Sequence, residues 1–278
     1  MPAGLVGGLA EAVTTCLACV VDREAEHNNS LGRWNSSGEK LQHAFGRQAI
    51  GMVWDYCEPN PFGGSVGSWG SLLDCVLIPF ETAAHLAHGG HIEQTSATAH
   101  PLPDDSAAAL ITDPPYYDSV PYAYLSDFFY VWIRRTLADV HPALFREAGV
   151  PKDAEIVVDR PHKLSQSKKG IEFYERELMR AFAESRRVAR PDGVGCIVFA
   201  SKSTASWEAI LKAVIDAGWV ITSSWPIDTE METRVAAQGQ ARLGSSVHIV
   251  CRPREEVLPQ RTQRDAEEQD NRLTSLHC

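Results

Sequence analysis

Residues 107–118 read Ala-Ala-Ala-Leu-Ile-Thr-Asp-Pro-Pro-Tyr-Tyr-Asp, and this stretch decides the fold. Ala107–Thr112 is a short apolar run of strand length bounded by breakers. The two prolines that follow fix two φ angles and remove two N–H donors, and they bias Asp113 toward an extended conformation. The result is a rigid loop with a carboxylate at one end, carbonyl oxygens in the middle and the ring of Tyr116 at the other. That suits gripping a planar group with an exocyclic amine: carboxylate and carbonyl accept its hydrogen bonds while the aromatic ring stacks. A tight proline turn after a strand, with Tyr116 and Tyr117 as packing residues, is the plainer alternative.

Outward from this stretch the pattern alternates. Residues 91–95 suggest a short strand and 101–106 a turn. Helical periodicity covers about 122–138 and 171–189. Arg190-Pro191-Asp192-Gly193 reads as a turn before the apolar strand 195–200. A helix at 207–217 stops at Gly218, and strands follow at 219–225 and 245–252. Strand–helix–strand alternation predicts an α/β protein with a parallel sheet, and ligands of such sheets bind beyond the strands' carboxyl ends. The last strand follows its predecessor with no helix between, so it is expected to be an antiparallel neighbour.

The first third reads differently. Leu5, Leu9, Val13, Leu17 and Val21 recur every fourth residue over 5–26, predicting a buried helix. A second helix is expected from about Ser37 to Tyr56, a breaker-rich loop at 57–70, and a helix at 71–88 that Pro79 should kink or interrupt. The expected organisation is a helical segment with a Gly/Pro loop (1–89), an α/β part (90–254) and a charged, disordered tail (255–278).

The 278 residues carry 26 Lys or Arg against 36 Asp or Glu, a net charge of −10 that excludes a nucleic-acid coat held by bulk charge. Residues 160–190 are locally basic, with nine Lys or Arg against four Glu. The loop bearing Lys163, Lys168 and Lys169 leans toward phosphate contacts, while the adjoining helix reads equally as a solvated face with i,i+4 pairs. No run approaches the ~18 apolar residues of a membrane span. The apolar start has no basic residue before Arg23, unlike a signal peptide. Seven cysteines, an odd count scattered among apolar neighbours, read as reduced thiols in the cytoplasm. Cys16 and Cys19 form a lone C-x-x-C pair, and the histidines show no ligand spacing, so no metal is expected.

Asp113-Pro114-Pro115-Tyr116 resembles the catalytic motif of amino-group DNA methyltransferases, and aspartate at the first position resembles the adenine-N6 subgroup. The longer run TDPPYYDSVPYAYLSDFFYVWIRR is similar to large bacterial adenine-specific DNA methylases that contain a zinc ribbon and are associated with anti-phage defence. So are GRQAIGMVWDYCEPNPFGGSVGSW, FASKSTASWEAILKAVIDAGWVITSSWPIDTEMETR and LGSSVHIVCRPR, and together the likeness spans about residues 9–254.

The resemblance implies a partial Rossmann-like sheet that uses S-adenosylmethionine to methylate N6 of adenine in DNA. Asp113, Pro114, Pro115 and Tyr116 would be catalytic, and Thr95, Ser96 and Asp113 would lie toward the cofactor. Such enzymes hold the cofactor with a loop of the form Asp-Pro-Phe-x-Gly-x-Gly after their first strand. The nearest counterpart here is Asn60-Pro61-Phe62-Gly63-Gly64-Ser65-Val66-Gly67, which follows no strand-like run, and a glycine loop outside a strand–turn–helix context is a weak signal. Two further readings stay open. The chain is a fragment or one half of a split enzyme whose partner supplies the cofactor loop, or it methylates another planar amine, in RNA or a protein amide. Asp118, Tyr122 and Asp127 are secondary candidates, and Phe128, Phe129, Tyr130 and Trp132 read as core before base platform.

Overall fold

A computed structural model describes residues 3–45, 50–86, 88–116, 120–158, 169–201, 203–228 and 245–254. The chain divides into two units. Residues 1–94 and 115–174 form one, and residues 95–114 and 175–278 the other, so the division falls between Pro114 and Pro115.

The second unit holds the sheet. Strands β3 (Ala107–Thr112), β4 (Ala189–Phe199), β5 (Trp219–Asp228) and β6 (Ser245–Pro253) lie in the order β3-β4-β6-β5. β3 runs parallel to β4, and β6 lies antiparallel to both β4 and β5. β4 and β5 therefore point the same way, joined through helix α5 (Thr204–Asp216). This is the expected α/β, partially Rossmann-like sheet. The last strand is antiparallel as expected, but it is inserted between β4 and β5, which the chain order does not reveal. β4 alternates with period two from Gly193 to Phe199, odd positions buried and even ones half-buried, as a strand covered unequally on two faces should.

Helix α5 is capped at Ser203, whose hydroxyl accepts from the Ser206 N–H. It stops at Gly218, where φ is +86°, a conformation that suits glycine. Ile210 and Val214 from α5 join Ile197, Phe199, Trp219, Ile249 and Cys251 in the core, all 2% exposed or less. Trp219 donates its indole N–H to the Phe182 carbonyl at 3.0 Å. Gly195 is required beneath it, because a Cβ there would stand 2.6 Å from Cys251 Sγ and 3.1 Å from the Trp219 ring.

The turn expected at 190–193 is absorbed into β4 as a bulge. Pairing jumps from Ala107↔Ala189 to Ala109↔Val194, and Arg190 bridges Asp192 at 2.7 Å within it. The strand expected at 91–95 is absent. Thr95 Oγ1 instead donates to the Ala99 carbonyl, and Ser96 pairs with Ala99 in an isolated bridge. Turn-forming polar side chains here outcompete a strand too short to find a neighbour.

The first unit contains α1 (Ala3–His27), the hairpin β1 (Arg33–Asn35) and β2 (Lys40–Gln42), α2 (Trp69–Ala83) and α3 (Tyr122–Leu137). Helix α4 (Ile171–Val188) begins in this unit and continues into the second. The helix expected from Ser37 to Tyr56 does not form. Asn35 Oδ1 accepts from the Ser37 and Gly38 N–H groups, and Glu39 takes φ +45°, so Asn35-Ser36-Ser37-Gly38-Glu39 becomes a hairpin turn. Helix α1 forms as expected, but Leu9, Val13 and Leu17 are exposed while Ala18 and Val20 are buried, so the fourfold stripe is not its buried face. α2 continues past Pro79 to Ala83. The tail expected to be disordered lies outside the described residues, as do Tyr117 and Asp118. No described helix is long and apolar enough to cross a membrane.

Candidate active site

β3 ends at Thr112, so Asp113 stands immediately beyond the carboxyl end of a parallel strand. Its side chain is exposed, whereas Pro114 behind it is buried. The proline ring thus seats the loop while the carboxylate stays accessible. In the first unit Pro115 and Tyr116 are half-buried. Tyr174, fully buried near the start of α4, donates its hydroxyl to the Pro115 carbonyl at 2.7 Å. That bond fixes the orientation of a peptide group next to two residues that cannot donate. Nothing in the sequence marks Tyr174 beyond its place on a helical stretch, and the contact spans 59 residues.

The downstream segment is held by ionic contacts. Asp127 accepts from the Val150 N–H at 2.8 Å and pairs with Lys152 at 2.7 Å. Partial burial pulls the Asp127 carboxyl upward, but the Lys152 and Val150 hydrogen bonds and the Lys152 charge hold it below its ordinary value. Asp127 is therefore a clamp within its unit. The Ala123 N–H, in the first turn of α3, donates to Glu155, and Tyr122 is exposed. Phe128 packs edge to face on Phe129 and on Phe45, and Phe129 lies tilted against Phe45, with centroids 5.2–5.4 Å apart.

The basic stripe is corrected in part. Lys163 and Lys168 lie outside the described residues. Lys169 is buried, donating to the Lys152 carbonyl at 2.5 Å and the Glu155 carbonyl at 3.2 Å. It anchors the chain instead of facing phosphate, because a buried ammonium needs acceptors. On α4, Arg180 pairs with Glu177, and Arg187 with Glu184 and Asp104. The pairs within the helix are i,i+3.

The expected cofactor contacts lie in different units, Thr95, Ser96 and Asp113 in the second and Asn60, Gly63, Gly64 and Gly67 in the first. Thr95 and Ser96 are exposed and bond within their own turn. In the loop at 60–68, Asn60 Oδ1 accepts from the Phe62 N–H, and the Gly63 N–H returns to the Asn60 carbonyl. Gly67, at φ +87°, is required because a Cβ would lie 3.1 Å from the His27 ring. Only Gly64 of these three glycines has open space beside it. The loop leads into α2 but follows an irregular segment rather than a strand. Gly63 and Gly67 are thus taken up by contacts to Asn60 and His27.

The described cysteines are unpaired. Burial, with Cys16 and Asp22 adding, pushes the Cys19 thiol up. Burial and Cys196 push the Cys251 thiol up to about 11. Raised thiols are poor nucleophiles. Sequence reasoning missed Glu26, His27 and His43, whose donor atoms gather within 4.8 Å of one another; the two histidines are too far apart in the chain to show ligand spacing.

No family model matches the chain, and no curated protein does. Solved structures similar to it include a candidate DNA modification methylase from Thermus thermophilus, 14% identical over 59% of this chain and 53% of that one, with a TM-score of 0.30. The cyclase SpnF is 12% identical over 66% and 63%, with a TM-score of 0.32. A TehB-like SAM-dependent methyltransferase from Corynebacterium glutamicum is 10% identical over 65% and 97%, with a TM-score of 0.22. The chain spans between half and two thirds of the first two.

Proposed function

We propose that this chain carries the amine-holding loop of an amino-group DNA methyltransferase, acting on N6 of adenine with S-adenosylmethionine as donor. The observation that carries this reading is the exposed Asp113 carboxylate beyond the end of β3, on a loop seated by buried Pro114. The target adenine leaves the stack to reach it. Asp113 accepts a hydrogen bond from the exocyclic amine. The second acceptor in this reading is the carbonyl of Pro114, since that of Pro115 already takes one hydrogen bond from Tyr174. Together they hold the nitrogen lone pair away from the loop, and Tyr116 stacks on the base. The contribution is positioning and electrostatics.

In the loop at 60–68 Gly63 and Gly67 are taken up by contacts to Asn60 and His27, and β3 pairs only with β4 among the described residues. Both favour a version of this reading in which a partner segment supplies the donor-binding half. Lys163 and Lys168 are proposed to contact phosphates of the DNA.

In an assembly that transfers methyl groups, Asp113→Ala should lower incorporation into DNA by ~10²–10³, as loss of one positioned oxyanion-hole partner does. Because the site is exposed, the variant should keep the parental circular dichroism. Near-parental incorporation would refute the assignment. Calorimetry on the chain alone should show no micromolar binding of S-adenosylmethionine; such binding would instead make the 60–68 loop the cofactor site.

A further inference from the structure

The end of α1 carries a group of donors that the methyl-transfer reading does not use. Glu26 and His27 close the helix, and His43 stands one residue beyond β2. One donor atom from each lies within 4.8 Å of the others. His43 Nδ1 is 3.4 Å from Glu26 Oε2. A tetrahedral metal with ligand bonds of ~2.0–2.1 Å keeps its ligand atoms ~3.4 Å apart, so this edge is already at coordination spacing. The two imidazoles meet edge to face, with centroids 4.7 Å apart.

His27 is prepared in the manner of a ligand. It is 3% exposed, and its Nδ1 lies 2.8 Å from the Arg23 carbonyl. A nitrogen facing a carbonyl oxygen must carry the proton, so the neutral ring presents its lone pair at Nε2. This backbone bond is the support that metal-binding histidines commonly have. Gly67 closes on the carbon beside Nε2, where a Cβ would come within 3.1 Å. The glycine loop that looks like a cofactor cradle therefore holds an imidazole in place.

Asp22 is the independent sign of a missing cation. One turn before Glu26 on α1, it is 8% exposed, and its Oδ1 is buried with no hydrogen-bond partner. The Asp22 and Glu26 carboxylates repel each other. A buried carboxylate oxygen without a partner is costly, and a dication held at Glu26, one turn further along α1, would lower that cost through space.

We propose that Glu26, His27 and His43 form a divalent transition-metal site of the kind that suits Zn2+. Two imidazoles and a carboxylate suit borderline first-row metals, whereas Ca2+ and Mg2+ favour all-oxygen shells. The metal ties the β1–β2 hairpin to the last turn of α1, two elements otherwise joined by the short Asn28–Gly32 turn.

The test is calorimetric titration of the chelator-treated full chain with Zn2+. One equivalent should bind, and His43→Ala and Glu26→Gln should each weaken it by at least ~10-fold, since even outer-shell losses cost that much. His43 is more than half exposed and Glu26→Gln is isosteric, so both variants should keep the parental circular dichroism. Co2+ in place of Zn2+ should give a tetrahedral visible spectrum without a thiolate charge-transfer band, and Cys16→Ser/Cys19→Ser should bind unchanged. Absence of stoichiometric binding, indifference to both ligand variants, or loss of binding in the double-serine variant would each overturn the site.

Discussion

The sheet unit and the N-terminal helices bury apolar residues by different rules. In the sheet unit, alternate residues of β4 are buried, and the largest side chains there are sealed: Ile197, Phe199, Ile210 and Trp219 show no exposed surface. In α1 and α2 the apolar residues are as numerous, yet Leu9, Leu77, Ile78 and Phe80 stay largely open while Val20 and Leu72 are buried. A strand carries its own instructions, because period two and two neighbours fix which side faces in. A uniformly apolar helix leaves its buried face to be decided by its partners.

The sharpest way to break this comparison is at Trp219. Trp219→Ala removes a sealed ring and the donor to the Phe182 carbonyl, and should cost ~3–5 kcal/mol in urea denaturation. A cost under 1 kcal/mol would show the sheet core to be loosely packed. Glycines sharpen the contrast next. Gly195→Ala places a methyl against Cys251 and Trp219 and should cost ~1–3 kcal/mol by overpacking. Gly64→Ala meets nothing within 4 Å, and should be neutral or stabilising by up to ~1 kcal/mol. Equal costs at both positions would refute the assigned packing.

The same contrast explains what could be read beforehand. β3, α3, α4, α5 and the antiparallel last strand were legible because each has one strong period and an explicit stop, such as Gly218 or the two prolines. The insertion of β6 between β4 and β5 was not legible, since strand order depends on pairings that local sequence does not encode. Ser37 followed by Glu39 mimicked a helix start, but the Asn35 side chain and Gly38 made a turn first. At the candidate site, Asp113 and its prolines stood out by the covalent stiffness of the Pro-Pro pair and by their resemblance to a known motif. Tyr174, Asp22, His27 and His43 did not, because their roles come from long-range packing.

A pH comparison probes the polar clamp of the first unit. The folded Asp127 carboxyl lies below its ordinary value. Its stabilising contribution is thus complete above the unfolded value of ~3.9 and is lost as pH falls through the folded value. The side chain is 38% exposed, so the effect should stay below ~1 kcal/mol. Denaturation curves of the parent and of Asp127→Asn should converge as pH falls below ~4. A gap that persists or widens there would assign the stabilisation to something other than the ionised pair.

The smallest effect is expected on the exposed stripe of α1, and it bears most directly on the comparison. Leu9, Val13 and Leu17 sit at fourfold spacing and are 66%, 48% and 41% exposed. Leu9→Gln, Val13→Gln and Leu17→Gln, made singly, should each change stability by less than ~0.5 kcal/mol, the usual range for surface positions. Glutamine also keeps a high helix propensity, so the helix itself should not report the change. Val20 on the same helix is fully buried, and Val20→Ala removes two methyl groups worth about 1.5 kcal/mol together. The ratio between these positions is the informative quantity, because all four share one backbone and one unfolded reference. If Leu9→Gln proved as costly as Val20→Ala, the fourfold stripe would be the buried face after all. The helix would then obey the sequence pattern, and the contrast between the two units would disappear.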